Sequence, residues 1–243
     1  DLAARYCDQL KDEAKALALL DEAIAMKDGD TATRFAAICR KSEFLRAHKG
    51  APEALSLAEE ALKIAEANPD LKLLPDAYSR LGQAYYANKK WDLAIETFIK
   101  AAENYGRTPV QVPSELYESV LWVARAARGD DSRKYLERVR AIPNLHVNNL
   151  VRTYEIDARI FNAEKRPAET VRLYDRVLAD TGLLDKIDVA SLIITAAGHV
   201  KAAGRGYEAT FAYYDKVFAS PQKYRLDETG LQKVVNGYKA VCW

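Results

Sequence analysis

Apolar residues recur at helical spacing along nearly the whole chain, and the pattern is clearest between Pro75 and Tyr105. Within residues 78–85 and again within residues 94–101, small or apolar side chains are separated by three and four positions. This is the period of an α-helix with one buried face. The polar stretch 88–90 between the two halves is short, as in a turn that joins two helices. The segment therefore predicts a helix hairpin.

The same spacing of small and bulky residues recurs along the chain when Ala94, early in the second helix of this hairpin, is taken as the reference position. Its equivalents are separated by 38 to 40 residues: Ala16, Ala54, Ala94, Ser132, Thr170 and Thr210. Four positions later lie mostly bulky residues: Leu20, Ala58, Phe98, Leu136, Tyr174 and Tyr214. Twelve positions earlier, in the first helix, lie mostly small ones: Ala4, Ser42, Gly82, Val120, Ala158 and Gly198. We expect Gly82, Ala158 and Gly198 to occupy equivalent places in successive hairpins.

Packing explains these residue types, because small side chains let two helix axes approach to roughly 8–10 Å. A lone hairpin cannot bury both of its apolar faces, so neighbouring hairpins must stack. The sequence therefore predicts an all-α solenoid of antiparallel helix hairpins. We expect a single domain over residues 1–243 with about six hairpins, the first one truncated, and a closing helix over residues 224–243.

The segment from Pro75 to Tyr105 resembles the tetratricopeptide repeat (TPR) family. The residues that carry the resemblance are Tyr78, Leu81, Gly82, Tyr85, Ala94, Phe98 and Ala101. The resemblance implies a right-handed superhelix and a concave groove, lined by first helices, that binds peptides. The repeat of 38 to 40 residues is longer than the family's usual length of about 34. We expect the additional residues in the connections at 68–74, 106–113 and 181–186.

Groove positions follow from the resemblance. They are occupied by Ser79, Gln83, Tyr86, Tyr117, Arg125, Glu155, Arg159 and Asn162. Aromatic and arginine side chains among them suit a binding surface, because both are enriched at interaction hot spots. Family members that clamp a C-terminal carboxylate carry Lys, Asn and Arg at groove positions where this chain has Cys39, Glu43, Ser79 and Gln83. Since Glu43 would repel a carboxylate, we do not expect this clamp.

Charge and composition narrow the partners. Lys and Arg number 36 against 35 Asp and Glu, whereas nucleic-acid binders usually carry a basic excess. No apolar stretch is long enough to span a bilayer. The three cysteines form no paired framework, which favours a reducing, cytoplasmic compartment. Because the chain begins at Asp1 inside a helical pattern, we expect that a signal peptide or flanking domain was removed, which leaves export open.

No catalytic or metal-binding constellation emerges from the spacing. The histidines at 48, 146 and 199 fall in different repeats, without a ligand partner at helical spacing. Cys39 lies beside Ile38 on a helix and is expected to be a buried hydrophobic residue. We therefore expect neither enzymatic activity nor a cofactor.

Three functions stay open. The first is a protein-interaction scaffold or adaptor that binds a peptide or helix of a protein partner in its groove. The second is a helical accessory or regulatory region of a larger enzyme or sensor. The third is a structural module that forms a homo-oligomer through the ends of the solenoid, where exposed apolar residues would be adhesive.

Overall fold

The computed structural model describes residues 13–26, 30–48, 51–105, 109–202 and 206–242. Over these ranges the chain is all-α, which confirms the predicted fold class. The helices are α1 Glu13–Ala25, α2 Thr31–His48, α3 Ala51–Ala67, α4 Leu74–Ala87, α5 Trp91–Glu103, α6 Ser114–Arg125, α7 Gly129–Arg140, α8 Val147–Ala163, α9 Pro167–Val177, α10 Thr181–Leu184, α11 Val189–Val200, α12 Gly206–Phe218 and α13 Glu228–Cys242. No helix in these ranges is long and apolar enough to cross a bilayer.

The chain forms two compact units. Unit 1 contains residues 1–122 and 142–144, and unit 2 contains residues 123–141 and 145–243. In unit 1, α1 to α5 pack in sequence, each helix against the next. In unit 2, α7 packs on α8, α8 on α9, and α11 on α12 and α13. The arrangement of residues 1–243 as one continuous solenoid stays a prediction.

The small residues of the second helices lie at the centre of the packing. All six are completely buried: Ala16, Ala54, Ala94, Ser132, Thr170 and Thr210. The residues four positions later are also all buried: Leu20, Ala58, Phe98, Leu136, Tyr174 and Tyr214. A direct contact joins the small positions of α2 and α3, because Ser42 Oγ donates a hydrogen bond to the carbonyl of Ala54 at 2.7 Å. The predicted register of the second helices is confirmed.

Three hairpin turns share one geometry. Lys89, Ala127 and Lys165 each adopt a left-handed backbone conformation, with φ between 57° and 61°. Each lies five residues before the small residue of its second helix. In two of these turns the next amide reaches back across the helix end, from Lys90 N to Tyr85 O at 3.0 Å and from Arg166 N to Phe161 O at 2.8 Å. These bonds satisfy carbonyls that the end of an α-helix leaves free.

The predicted equivalence of Gly82, Ala158 and Gly198 is wrong for Gly198. Gly82 and Ala158 are buried, whereas Gly198 is exposed, and a Cβ added to it would meet nothing within 4 Å. Ala196 and Ala197 are the fully buried small residues of α11 instead. The helix continues in the wider π-helical form at residues 201 and 202. Because a π turn takes up an additional residue, it shifts the buried face of α11 relative to α12.

The predicted connections contribute to the core. Residues 69–71 form a 3₁₀ turn, and α10 buries Leu183 and Leu184 in the main core of unit 2. In the described part of the connection at 106–113, Val110 and Val112 are buried, and the amide of Val110 donates to the carbonyl of Asn144 at 2.8 Å. The connections at 106–113 and 181–186 therefore supply buried core residues, whereas the turn at 69–71 supplies none.

A buried ion pair joins α7 to α8. Arg140 Nη2 lies 2.7 Å from Asp157 Oδ2, and Arg140 Nε donates to Thr153 Oγ1 at 2.9 Å. The guanidinium also stacks over the ring of Tyr154, 4.5 Å from its centroid. The carboxylate side chain is only 6% exposed, so its charge depends on this one arginine.

The close approach at Gly82 predicts a stability difference between two Gly→Ala substitutions. In Gly82→Ala the new Cβ would lie 2.7 Å from Phe98 Cδ1, and we expect overpacking to cost about 1–3 kcal/mol. In the matched control Gly198→Ala the methyl group meets open space. The higher helix propensity of alanine should therefore raise the free energy of unfolding by about 0.5–1 kcal/mol. Urea unfolding followed by circular dichroism checks both, and a Gly82→Ala protein as stable as wild type would contradict the packing described.

Loss of the buried carboxylate should destabilise unit 2. Asp157→Asn keeps the side-chain size but leaves Arg140 without its anion, and we expect a cost of about 3 kcal/mol. The control is Asp175→Asn, which removes an exposed pair with Lys216 and should cost at most about 1 kcal/mol. Hydrogen exchange of the α8 amides measures the difference. Equal protection in the two variants would show that the buried pair contributes no more than a surface pair.

Candidate peptide-binding cleft

A cleft of about 380 Å³ lies within unit 2 between α8 and α11, the first helices of successive hairpins. It is lined by Asn148, Val151, Arg152, Glu155, Lys186, Ile187, Asp188, Ser191, Leu192 and Thr195. Clefts of this size are typical of ligand sites in proteins.

The residues that line the cleft recur with the period of the sequence repeat. On α8 the lining residues are at 148, 151, 152 and 155, and each has a counterpart exactly one 40-residue repeat later, at 188, 191, 192 and 195. Residues three and four apart share one face of a helix. The cleft is therefore formed by the same face of two successive first helices, together with the connection that carries Lys186 and Ile187.

Hydrogen bonds fix the charged side of the cleft at the beginning of α11. Asp188 caps this helix, because its carboxylate accepts from the amide of Ser191 at 3.0 Å and from Ser191 Oγ at 2.8 Å. Lys233 of α13 forms an ion pair with Asp188 and donates to Ser191 Oγ at 2.7 Å. These interactions, the Lys233 hydrogen bond first, lower the pKa of Asp188 to about 2.

Apolar and polar groups occupy different parts of the cleft. Val151 and Ile187 are partly buried and pack against the core of unit 2, and Leu192 belongs to that core. Arg152 Nη1 binds Glu155 Oε2 at 2.9 Å on the exposed side of α8. The cleft can therefore seat an apolar side chain while hydrogen-bonding groups surround it.

The predicted groove residues of unit 2 have different surroundings. Glu155 lines the cleft, and Arg159 lies exposed one turn further along α8. Asn162 has an internal role, because it donates to the carbonyl of His199 at 3.1 Å and accepts from Thr170 Oγ1 at 2.8 Å. Arg125, at the end of α6, is exposed.

In unit 1 the predicted groove residues differ in accessibility. Ser79, Gln83 and Tyr86 are partly buried on α4, and Gln83 accepts a hydrogen bond from Arg80 at 3.3 Å. Tyr117 is only 3% exposed, so little of its side chain can meet a ligand.

Tyr86 belongs to an aromatic cluster that the sequence did not predict. Its ring meets Trp91 edge-on at 5.4 Å, and Trp91 stacks on Trp122 at 5.5 Å, with 43% of Trp122 exposed. The Tyr86 hydroxyl donates to Glu118 on α6, and this hydrogen bond raises the pKa of Tyr86 to about 12. The available signal was the presence of Tyr86, Trp91 and Trp122 in neighbouring helices, since aromatic residues are enriched at interfaces.

The carboxylate-clamp positions lie on α2 and α4. Glu43 binds both Arg40 and Arg80 at 3.2 Å, so its charge is compensated by two guanidiniums. Cys39 is buried, and burial raises the pKa of its thiol to about 11. The thiol is therefore protonated at neutral pH and is a poor nucleophile.

The histidines have structural environments where the side chains are described. His146 caps α8, with Nδ1 accepting from the amide of Asn148 at 3.1 Å. His199 stacks on Tyr174 at 5.9 Å, and burial lowers its pKa. The side chain of His48 lies outside the described residues, as do Ala4 and Cys7. Among the described residues, no group of three or more His, Cys, Asp or Glu side chains could hold a metal ion.

Comparison with known proteins shows similarity to solved structures, whereas the sequence comparisons match nothing. No family model and no curated protein matches the sequence. Among solved structures, the chain is similar to the TPR domain of P58(IPK), with 14% sequence identity over 96% of this chain and 67% of that chain and a TM-score of 0.28. The helical-repeat character of the chain is evident from its own hairpins, with their shared turns and buried second-helix residues.

The cap at the cleft predicts a pH-dependent stability. Asn also caps helices well, so Asp188→Asn should mainly lose the ion pair with Lys233, at a cost of about 0.5–1 kcal/mol for so exposed a pair. Because folding lowers the pKa of Asp188 from 3.8 to about 2, its contribution is present above pH 3.8 and is lost as the pH falls through 2. The free energies of unfolding of wild type and variant, measured with urea, should therefore differ at pH 6 and become nearly equal near pH 2.

The control for this measurement is Asp215→Asn, which removes an exposed carboxylate that has no ion pair among the described residues. If the unfolding free energies of wild type and Asp188→Asn differed by the same amount at pH 6 and at pH 2, the ion pair with Lys233 would not be the source of the difference.

Proposed function

We propose that this chain is a non-catalytic protein-interaction module whose first helices bind an extended segment of a partner protein. One observation carries the proposal. Equivalent faces of two successive first helices, at residues 148–155 and 188–195, line a single cleft. A helical repeat that presents the same face again and again offers a continuous surface to an extended ligand.

The chemistry of the cleft supports a peptide as ligand. The apolar contribution of Val151, Ile187 and Leu192 would take one apolar side chain of the partner. Asn148 and Thr195 lie beside it with amide and hydroxyl groups that can bind the partner's main chain. One side-chain pocket surrounded by hydrogen-bonding groups is how an extended peptide gains both affinity and orientation.

The aromatic cluster of unit 1 is proposed as a second contact surface. Trp122 presents a large, rigid apolar side chain that is held by its stack on Trp91. Tryptophan and tyrosine dominate interaction hot spots because they bury much area at little entropic cost. With Tyr117 buried and Asn162 engaged internally, we propose Tyr86 as the central contact of the surface in unit 1 and Glu155 as that of the cleft in unit 2. Ser79, Gln83, Arg125 and Arg159 are proposed as peripheral contacts of their own units.

Blocking the cleft tests the proposal. Random twelve-residue peptides displayed on phage are selected on the immobilised chain, and the affinity of the best one is measured by calorimetry. We expect a recurring large apolar residue flanked by polar ones. Thr195→Arg places a long side chain in the cleft without altering the core, and it should weaken binding at least tenfold, which is about 1.4 kcal/mol.

The matched control is Ala240→Arg, which adds the same charge at an exposed position of α13 outside the cleft lining. This variant should bind the selected peptide like wild type. Failure to enrich any peptide, or equal binding by Thr195→Arg and wild type, would reject the cleft as the binding site. Light scattering of the chain alone measures whether it forms oligomers instead.

A further inference from the structure

We propose that Arg172 and Arg176 on α9 form a second binding site, which takes the anionic side chains of an acidic protein segment. The two residues lie four positions apart, so their side chains share one face of the helix. Both line a cleft of about 510 Å³ together with Phe161, Glu169 and Asp175. Because α9 is a second helix, this site is separate from the cleft between the first helices.

The acidic residues of this cleft already have cationic partners. Glu169 Oε1 lies 3.5 Å from Arg166 Nη2. Asp175 Oδ1 accepts a hydrogen bond from Lys216 Nζ at 2.5 Å. In contrast, no side-chain hydrogen bond, ion pair or ring contact within the described chain engages the guanidinium of Arg172 or Arg176. The cleft therefore contains two positive groups without a fixed counter-ion.

Two other arginines of unit 2, in contrast, are held by acidic partners. Arg133 binds Glu164 at 2.9 Å, and Arg140 binds Asp157 at 2.7 Å. Arg133 and Arg166 also lie over the ring of Phe161, at 4.9 and 5.1 Å from its centroid. Phe161, at the wall of the cleft, is thus bordered by cations that are held in place.

The ligand chemistry follows from the two guanidiniums. Like charges four residues apart on a helix repel each other, and an anion between them removes that repulsion. A guanidinium binds a carboxylate or a phosphate through two parallel hydrogen bonds. Arg176 also lines a smaller cleft of about 270 Å³ with Arg140, Tyr154 and Asp180. A segment with two adjacent anionic residues, carboxylates or phosphorylated hydroxyls, suits this arrangement.

The first test uses inorganic pyrophosphate as probe and the arginine Nε–Hε resonances of the ¹⁵N-labelled chain as readout. We expect the resonances of Arg172 and Arg176 to shift with a saturable dependence on concentration. Arg159 provides the matched control, because it is exposed on α8 and has no ion pair among the described residues. Equal shifts at all three arginines would show general charge screening and overturn the proposal.

The second test compares three ten-residue peptides that differ only in two adjacent central residues: glutamates, phosphoserines or serines. Fluorescence anisotropy at low salt should show that both anionic peptides bind at least tenfold more tightly than the serine peptide. The order of the two anionic peptides distinguishes a carboxylate ligand from a phosphorylated one. The double variant Arg172→Gln/Arg176→Gln should lose this preference, whereas Arg159→Gln and Thr195→Arg should keep it.

Circular dichroism of the double variant verifies that it is folded. Equal binding of the serine peptide, or an unchanged preference in the double variant, would overturn the proposal. Tighter binding of duplex DNA or of phosphatidylserine vesicles than of either anionic peptide would also overturn it, because the site would then serve a nucleic acid or a membrane surface.

Discussion

The close approach of two packed helices at a small residue of the second helix is the constraint on which the rest of the described structure depends. At these positions, from Ala16 to Thr210, side chains are completely buried, and the residue one turn later fills the adjoining space. In the hairpin of α4 and α5 the approach leaves no room for a Cβ at Gly82, because the Phe98 ring lies there. This contact fixes the rotation of each helix about its axis. It thereby decides which first-helix faces stay outward and can line a cleft.

The register of the second helices could be predicted from the sequence because it depends on local spacing. A small residue followed one turn later by a bulky one marks the packed face of the second helix. Its burial does not depend on distant parts of the chain. The prediction failed at Gly198, in the last turn of α11, which continues in the π-helical form at residues 201 and 202. The sequence feature that indicates this change is Lys201, because the corresponding position of the other hairpins has an apolar side chain. A helix with one additional residue per turn presents a different face, and sequence spacing alone does not reveal where that residue is accommodated.

The candidate site could be predicted only in part. Glu155 was expected at the groove because the resemblance to the TPR family implies a groove position there. Lys186 lines the cleft from a segment that the sequence identified only as a connection, and Ile187 and Asp188 follow it directly. The burial of Tyr117 and the stack of Trp91 on Trp122 depend on how successive helices pack. Such contacts join residues more than 30 positions apart, and helical periodicity carries no information about them.

Net charge describes the whole chain, whereas recognition depends on charges that have no internal partner. The total of +1 is the difference between 36 basic and 35 acidic residues, and several of these cations and anions form pairs between helices, as Arg34 does with Glu60 and Lys216 with Asp175. Such exposed pairs add little stability, but they remove their charges from any field that a ligand would experience at close range. Arg172 and Arg176 are left outside this pairing. A near-neutral composition therefore argues against a broad nucleic-acid surface, yet it leaves room for a local site that selects an acidic protein segment.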